Sequence, residues 1–245
     1  MSELDYVSRI PRRIEYDDGV RRAFTPALIQ GCVGWWSASL GVTKDGSNNI
    51  SAVADQVGGH NAAEGTGANQ QLWVASASNG MPAARGNADG ARALLMTGAA
   101  LSGSGTIVFA FTKSTRASTY MLRGASDQSS SIIENFSGNA LEWFNNNGVD
   151  RATFSSNPAA GAHVVSVVQT DGSSCVGRYD GTQVFSITPT AAITSPTIIG
   201  NLSTLTNGSN GDWMQLAVFN RALQLPELNR YQKYLGFLYG IAVAG

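Results

Sequence analysis

Charged side chains, cysteine and histidine are scarce in this 245-residue sequence. Charged residues make up 13% of it and the net charge is -1, so no basic surface field is available to hold a nucleic acid. The two cysteines, Cys32 and Cys175, are too few for a disulfide framework or a thiolate metal site, and we expect both to be small buried side chains. The two histidines, His60 and His163, are too few for a ligand cluster, and we expect His163 to be a hydrogen-bonded residue of an edge strand.

Long apolar runs are missing as well. No stretch approaches 18 consecutive apolar residues, and the opening MSELDYVSRIPRR contains no apolar segment of the kind that signal peptides carry. We therefore expect neither a membrane span nor export through a signal peptide. The hydrophobic content of 43% is nevertheless sufficient for a substantial core.

Turn residues and short apolar runs predict antiparallel β structure. The sequence has 28 glycines, and Asp-Gly pairs such as Asp180-Gly181 favour tight hairpins. Ten strands are predicted between the turns, at residues 32–37, 106–112, 120–123, 131–134, 141–145, 163–170, 175–180, 182–187, 197–201 and 213–219. The apolar period then changes to three or four residues, which predicts a helix that lays one stripe on a sheet edge or flank. The stripe consists of Leu225, Leu228, Tyr231, Leu235 and Leu238.

Charge is concentrated at the start of the chain. Residues 1–22 carry ten of the 33 charged residues, and five of those ten are arginines. Two interpretations remain open: a disordered terminus, or a docking arm that orders against a partner. The arm would act through Arg9, Arg12, Arg13, Arg21 and Arg22. We assign residues 1–30 to this arm and residues 31–245 to one domain, because nothing after residue 30 has the composition of a linker.

Four stretches, taken in order, carry a family resemblance. The first contains Trp36-Ser37-Ala38 and then Asp55 with a glycine-rich turn; the others are GMPAARGNADG, RYDG, and IIG followed by FNRAL. Together they cover about residues 31 to 241 and resemble the concanavalin A-like or laminin-G-like jelly-roll domains, in particular their bacterial and phage versions. The resemblance implies an all-β, antiparallel jelly-roll β-sandwich with a short C-terminal α-helix, which here follows an extended N-terminal arm.

The sequence departs from that family at two places. Val53-Ala54 stands where a tryptophan is common before Asp55, and Gln215 or Leu216 stands where the last strand usually has a glutamate. These departures weaken the case for any ligand or cation chemistry that the positions serve elsewhere, and they leave the expected fold unchanged.

Catalytic signatures are weak. Glu134 and Glu142 form the only close pair of strand glutamates, and two carboxylates can cleave glycosidic bonds. Their spacing of eight residues does not match the strand motif of the glucanases that share this fold, so we expect both to be solvated. No nucleophile elbow, P-loop or dinucleotide fingerprint occurs in a suitable setting. We therefore expect no enzyme activity and no catalytic residues.

Glycan binding has some support. The stretch EWFNNNGVD would present Trp143, Asn145, Asn146, Asn147 and Asp150 on a loop, where an aromatic ring and amides can hold a sugar. The alternative is that Trp143 belongs to the core and the asparagines form a turn, as we expect Trp35, Trp36 and Trp213 to be core residues. Related sandwiches also bind calcium through Asp and Asn oxygens, so the resemblance allows a structural calcium ion but assigns no metal ligand.

These observations predict a non-enzymatic virion structural protein, such as a capsid decoration, head-fibre or tail component. It would be made in the host cytoplasm, join other virion proteins through the arm, form a homo-oligomer such as a trimer, and display the sandwich to host-surface glycans. Two alternatives remain: a glycan-binding module of a cell-surface or secreted protein, and a glycoside hydrolase or lyase.

Overall fold

The computed structural model describes residues 24–86, 92–98, 101, 103–113, 119–124, 129–134, 140–200 and 211–244. Over these residues the chain forms 17 strands, three short 3-10 turns and one α-helix, α1 (Leu225–Tyr239). The 3-10 turns are Pro26–Leu28, Gly67–Asn69 and Asn146–Gly148. The strands are β1 (Cys32–Ser37), β2 (Val42–Lys44), β3 (Asn49–Val53), β4 (Ala62–Ala63), β5 (Gln71–Ser78), β6 (Met81–Arg85), β7 (Ala93–Met96), β8 (Gly105–Thr112), β9 (Thr119–Arg123), β10 (Ser131–Glu134), β11 (Leu141–Asn145), β12 (Asp150–Ser155), β13 (Ala162–Thr170), β14 (Ser174–Tyr179), β15 (Thr182–Ile187), β16 (Ile198–Gly200) and β17 (Asp212–Phe219).

All ten strands predicted from the sequence are present, with ends within one residue of those predicted. The strands β6 and β7 lie where the family resemblance places a strand pair. Five strands were missed, β2 to β5 and β12, because they are short or carry many polar residues and so have no apolar alternation to detect. The predicted turn at Asp180-Gly181 is confirmed: both residues have positive φ, 47° and 84°, and join β14 to β15.

The strands pair antiparallel throughout and fold into two layers. One layer, the helix-side sheet, has the order β1-β17-β8-β13-β14-β15. The other, the far sheet, has the order β4-β7-β16-β9-β10-β11-β12. The hairpin β5-β6 connects them, because β6 pairs with β17 while β5 pairs with β3, the neighbour of β4. The predicted all-β antiparallel jelly-roll sandwich is confirmed.

The inner core fills the space between the two sheets. It contains Trp36 and Trp213, which are 0% and 3% exposed, so their predicted place in the core is confirmed. The helix-side sheet contributes Phe109, Phe111, Leu216 and Val218, and the far sheet contributes Leu94, Leu122, Trp143 and Ile199. Cys175 is also buried there, as predicted, whereas Cys32 is half-buried; burial raises the pKa of both thiols to about 12.

The outer core lies between the helix-side sheet and α1, which adds a third layer. Four residues of the predicted stripe, Leu228, Tyr231, Leu235 and Leu238, are buried against this sheet. The prediction was wrong for Leu225, which is 47% exposed because it is the first residue of the helix. The helix covers a sheet face and not an edge: its apolar side meets residues of the sheet's central strands, including Val108, Val164, Ala217 and Phe219.

A buried polar contact accompanies this packing. The Gln215 side chain donates from Nε2 to the Tyr231 hydroxyl at 2.9 Å and accepts from the Tyr239 hydroxyl at 3.1 Å. A neutral amide can do both, whereas an ionised glutamate could only accept. The departure from the family at this position therefore serves the contact between strand and helix, and the neighbouring Leu216 points into the inner core.

The segment assigned to the arm is part of the folded body where the structure describes it. Phe24 is 1% exposed and packs against Tyr234 and Tyr231, with ring centroids 5.0 and 6.2 Å apart. Ile29 is 8% exposed and belongs to the same outer core. The helix α1 is too short and polar to cross a membrane, and no other helix among the described residues could do so.

The tryptophans of the inner core provide a test of the sandwich. Trp36→Ala and Trp213→Ala should each lower the free energy of unfolding by about 3–5 kcal/mol, because each removes a buried ring and leaves a cavity. Phe237→Ala is the matched control, since that ring is 57% exposed and should change stability little. Chemical denaturation of the three variants measures the difference. Equal stability of all three would contradict this placement of the rings.

Candidate functional site

The predicted glycan site around Trp143 is not an exposed loop. Trp143 lies in the middle of β11 and is 0% exposed, so its ring cannot stack on a sugar, and the predicted placement was wrong. The sequence pattern explains the error. Leu141 and Trp143 are two residues apart and both face the inner core, as in a strand, but the asparagine run that follows them is typical of a loop. The alternative, that Trp143 is a core residue, is confirmed.

The polar residues beside Trp143 hold a neighbouring loop. Asn145 and Asp150 face each other across β11 and β12 and are 2% and 4% exposed. Asp150 accepts hydrogen bonds from the Thr190 backbone N–H, at 2.9 and 3.0 Å, and from the Thr190 hydroxyl at 2.7 Å. The Asn145 amide donates to the Ala191 and Ala192 carbonyls at 3.3 Å. Both side chains are thus occupied in fixing residues 190–192.

The turn between the two strands leaves little for a ligand. Asn146 donates from Nδ2 to the Thr190 hydroxyl at 2.9 Å, and Asn146 and Asn147 have φ of 49° and 54°, which asparagine tolerates well. Because Asp150 already accepts several hydrogen bonds, few of its lone pairs remain for a cation. Among the residues that the structure describes, no three His, Cys, Asp or Glu side chains come together as a metal site would require.

Glu134 and Glu142 occupy adjacent positions of the β10-β11 strand pair. Glu142 lies opposite Ile133, and Glu134 lies opposite Leu141 in the next pair of the ladder. Successive pairs face opposite sides of a sheet, so the two positions do not share one face. The expectation of a solvated residue is wrong for Glu142, which is 3% exposed. Arg151 binds this carboxylate with Nε at 2.9 Å and Nη2 at 2.7 Å, so Glu142 is neutralised by a bidentate ion pair.

Asp55, the residue that the family resemblance placed before a glycine-rich turn, organises the loop of residues 54–61. Its carboxylate accepts the backbone N–H groups of Trp35, Val57, Gly58 and His60 at 2.8 to 3.0 Å, and the His60 ring lies 3.1 Å away. Burial opposes ionisation, but these hydrogen bonds outweigh it and hold the pKa of Asp55 below its ordinary value. A side chain at Gly58 would come within 2.2 Å of the Val33 carbonyl. The loop covers the free edge of β1, since Gln56 also donates to the Trp35 carbonyl.

His163 also has a structural environment. It lies near the start of β13 and pairs with Phe111 of β8, whereas the pairing of β13 with β14 begins only at Val165; the residue is hydrogen-bonded, as expected. Nδ1 lies 2.8 Å from Asp180 Oδ2 and 2.7 Å from the Tyr179 hydroxyl, and Nε2 lies 2.9 Å from the Ala159 carbonyl. Asp180 also accepts the Ala244 N–H through its backbone carbonyl, so this cluster ties the C-terminal segment to the β14-β15 hairpin.

Trp73 is a further aromatic candidate, to which the sequence pattern assigned no site. All five tryptophans are described, and Trp35, Trp36, Trp143 and Trp213 are at most 5% exposed, whereas Trp73 is only half-buried. Its Nε1 donates to the Ala38 carbonyl at 2.9 Å, which fixes the ring. The Lys44 ammonium lies 4.6 Å from the ring centroid, a cation–π distance. Lys44 ends β2 and Trp73 lies in β5, and the two meet because both strands pair with β3; all three strands escaped prediction.

The predicted docking residues of the arm lie before the first described residue, Phe24. Arg9, Arg12, Arg13, Arg21 and Arg22 all precede Phe24 and lie outside the described residues. Their role as docking residues remains a prediction.

No protein-family model and no curated protein match this chain. Solved structures do match in fold. The binding domain of Paraclostridial Mosquitocidal Protein 1 superposes with a TM-score of 0.57 and 14% identity, over 82% of this chain and 52% of its own. The Trypanosoma rangeli sialidase in complex with sialic acid superposes with a TM-score of 0.57 and 13% identity. This match covers 95% of this chain and 37% of the sialidase.

A third structure matches over nearly its whole length. This structure is domain 4 of AbnA, a GH43 extracellular arabinanase from Geobacillus stearothermophilus, in complex with arabinotriose. It superposes with a TM-score of 0.55 and 14% identity, and the match covers 80% of this chain and 96% of that domain. The chain thus spans about half of the toxin domain and just over a third of the sialidase. At this identity the likeness establishes the β-sandwich fold alone.

The Asp55 loop gives a prediction with a defined pH dependence. Asp55→Asn should lower the free energy of unfolding at pH 7 by about 2–3 kcal/mol, because an amide cannot accept the four backbone N–H groups. A carboxyl group whose pKa is lowered on folding stabilises the fold above its unfolded pKa, near 3.8, and loses this effect as the pH falls through the folded pKa. The difference between wild type and variant should therefore shrink below pH 4.

Denaturation curves from pH 7 to pH 2 measure this difference. Asp171→Asn, at an exposed position, is the control and should change stability little at any pH. A difference for Asp55→Asn that stays constant with pH would contradict the role assigned to the carboxylate.

Proposed function

We propose that the chain is a non-catalytic virion structural protein, a capsid decoration, head-fibre or tail component, in which an N-terminal arm docks on other virion proteins and the sandwich is displayed for adhesion to glycans. The observation that carries the proposal is the way the charged segment joins the body. Its last charged residue, Arg22, precedes Phe24 by two positions, and Phe24 is locked between sheet and helix by Tyr231 and Tyr234.

The charge distribution supports the docking half of the proposal. The first 22 residues hold five arginines, while the body that follows is sparsely charged. Arginine side chains form bidentate contacts with carboxylates and hydrogen bonds with carbonyl groups, and a virion surface repeats such acceptors at symmetric positions. Weak contacts from each arm of a homo-oligomer, such as a trimer, would then add through multivalency.

The fold supports the adhesion half. Two of the solved structures with this fold contain a saccharide, sialic acid in the sialidase and arabinotriose in the arabinanase domain. The arabinanase domain also supports a second candidate function, a glycan-binding module of a cell-surface or secreted protein, because the match covers 96% of that domain. The arm distinguishes the two candidates, since a module of that kind has no need of a docking segment on a particle.

The surroundings of Glu142 support the non-catalytic part. A general acid needs a carboxyl group that holds a proton near neutral pH, and a nucleophile needs an accessible carboxylate. In either role the carboxyl group has to reach the substrate, and Glu142 is 3% exposed and bound by Arg151 at two nitrogens. The double variant Glu134→Gln, Glu142→Gln should therefore not change what the protein binds or does. Glycan cleavage by the wild type that this variant loses would contradict the proposal.

Deletion of residues 2–22 separates docking from folding. The truncated protein should keep its thermal midpoint, because both described cores use residues from Phe24 onward, and it should fail to enter particles when it is the only source of the protein during assembly. Copy number per particle is measured by quantitative mass spectrometry of purified virions. Incorporation at the normal copy number would show that the docking surface lies on the sandwich.

Phe24→Ala in the full-length chain is the matched control. It removes a ring from the outer core and should cost about 3–5 kcal/mol of stability, while it keeps all five arginines. At a temperature where this variant remains folded, it should enter particles normally. The two variants should therefore give opposite results. The deletion loses docking and keeps stability, whereas Phe24→Ala loses stability and keeps docking.

A further inference from the structure

We propose that Trp73 and Lys44, together with the loop of residues 45–49, form a binding site for a carboxylate-bearing pyranose, that is, an acidic saccharide. This deepens the adhesion role proposed above and rests on it. Trp73 is the one tryptophan of the chain that is not buried, and it packs against the inner core while remaining accessible. A flat aromatic ring at the surface is the usual stacking partner for the apolar face of a sugar.

The ring is held in place from two directions. Its Nε1 donates to the Ala38 carbonyl at 2.9 Å, and the Trp73 backbone N–H donates to the Asn48 carbonyl at 2.8 Å. The strand β5 is paired on both sides, with β3 and with β6. A ligand that stacks on this ring therefore does not have to order it first, which lowers the entropic cost of binding.

The loop beside the ring is built around Asp45. Its carboxylate accepts the backbone N–H of Ser47 at 2.8 Å and both the backbone and side-chain N–H groups of Asn49 at 2.9 Å. These hydrogen bonds, chiefly the one from the Asn49 side chain, lower the pKa of Asp45. Asn48 then takes a positive φ of 66° and presents its Oδ1 to the Lys44 ammonium at 2.5 Å. The loop thus has a defined shape and sets the position of the lysine.

No carboxylate of the described residues lies within ion-pair distance of the Lys44 ammonium. Asp45 is its sequence neighbour, but the Asp45 oxygens are occupied by Ser47 and Asn49, and the two side chains form no ion pair within 4.0 Å. The ammonium interacts instead with the neutral Asn48 amide and the face of Trp73. It is exposed and flexible enough to move from the ring face to a nearby anion.

This arrangement favours an acidic over a neutral sugar. A sugar that stacks on Trp73 has to displace the ammonium from the ring, and the lost cation–π contact weakens binding by about 2- to 5-fold. A neutral sugar recovers only hydrogen bonds from the displaced lysine. An acidic sugar recovers an ion pair with it, while Asn48 is freed to bind a hydroxyl group. A nucleotide is a poorer fit, because a single lysine in a chain of net charge -1 provides no basic surface for phosphates.

The test follows the NMR signal of the Trp73 indole N–H while the full-length protein is titrated with a ligand. The signal is assigned as the one that is missing in Trp73→Phe. The probes are methyl β-D-glucuronide, the methyl glycoside of N-acetylneuraminic acid, the uncharged methyl β-D-glucoside, and AMP. At least one acid should shift this signal with a Kd on the order of 1–10 mM, and the glucoside should bind at least 5-fold more weakly. The two acids distinguish a hexuronic acid from a nonulosonic acid as the source of the carboxylate.

Lys44→Met is the decisive variant, because it keeps the apolar stem at an exposed position and should not affect folding. It should weaken binding of the acid at least 5-fold and leave binding of the glucoside unchanged or up to about 5-fold tighter, since the cation no longer covers the ring. Lys233→Met, on the exposed side of α1, is the matched control and should leave all four titrations unchanged. Trp73→Ala should abolish binding of both acids.

Three results would overturn the assignment: no shift of the Trp73 signal with either acid, equal affinity for the glucoside and for the tighter-binding acid, or no effect of Lys44→Met on that acid. Tighter binding of AMP than of both acids would replace the saccharide with a nucleotide. None of these results bears on incorporation into particles, which the arm deletion measures. If the titrations fail, the acidic saccharide is withdrawn and the docking role is unaffected. If the arm deletion does not reduce incorporation into particles, the docking role is withdrawn and the ligand assignment is unaffected.

Discussion

The structure depends on one constraint: the central strands of the helix-side sheet are apolar on both faces. In β17 all eight residues are buried, and in β8 Ile107, Phe109 and Phe111 face the far sheet while Val108 and Ala110 face the opposite way. A sheet that is apolar on both sides has to be covered on both sides. The far sheet covers one face and α1, held by Leu228, Tyr231, Leu235 and Leu238, covers the other. The closing helix is therefore a consequence of the strands that precede it.

The carboxylates of the body serve mainly to hold this arrangement. Asp55 fixes the loop over the edge of β1, Asp150 fixes the loop at residues 190–192, and Glu142 is paired with Arg151. Asp212 accepts Arg85 at two nitrogens, at 2.6 and 2.8 Å, across the β6-β17 pair that joins the two layers. A charged group at a buried site has to be paired or hydrogen-bonded, and these groups are. The same pairing occupies the oxygens of these carboxylates, and the ligand site proposed above uses other residues, which lie at the surface.

Two surface features remain for function, and they belong to different parts of the molecule. The arm joins the body at the outer core, through Phe24, beside the helix. Trp73 lies at the margin of the inner core, beside the loop of residues 45–49. One feature belongs to the helix side of the sandwich and the other to the hairpin that connects the layers. In the function proposed above, docking and ligand binding therefore start from different parts of the described body, since Phe24 belongs to the outer core and Trp73 packs against the inner core.

Much of the fold could be predicted from local pattern. The buried strands such as β8, β13 and β17 are recognisable because continuous apolar runs between turn residues leave few other structures open, and the period of three or four residues from Leu225 onward specifies a helix. The site could not be predicted in this way. Trp143 and Trp73 are both tryptophans in polar surroundings, yet register buries the first in the inner core and leaves the second at the surface. Lys44 of β2 meets Trp73 of β5 because both strands pair with β3, and Asp150 meets Thr190 across 40 residues of sequence. Periodicity records which face of a strand is apolar, whereas the exposure of a ring and the partner of a charge depend on which strands pair, and that is decided by tertiary contacts.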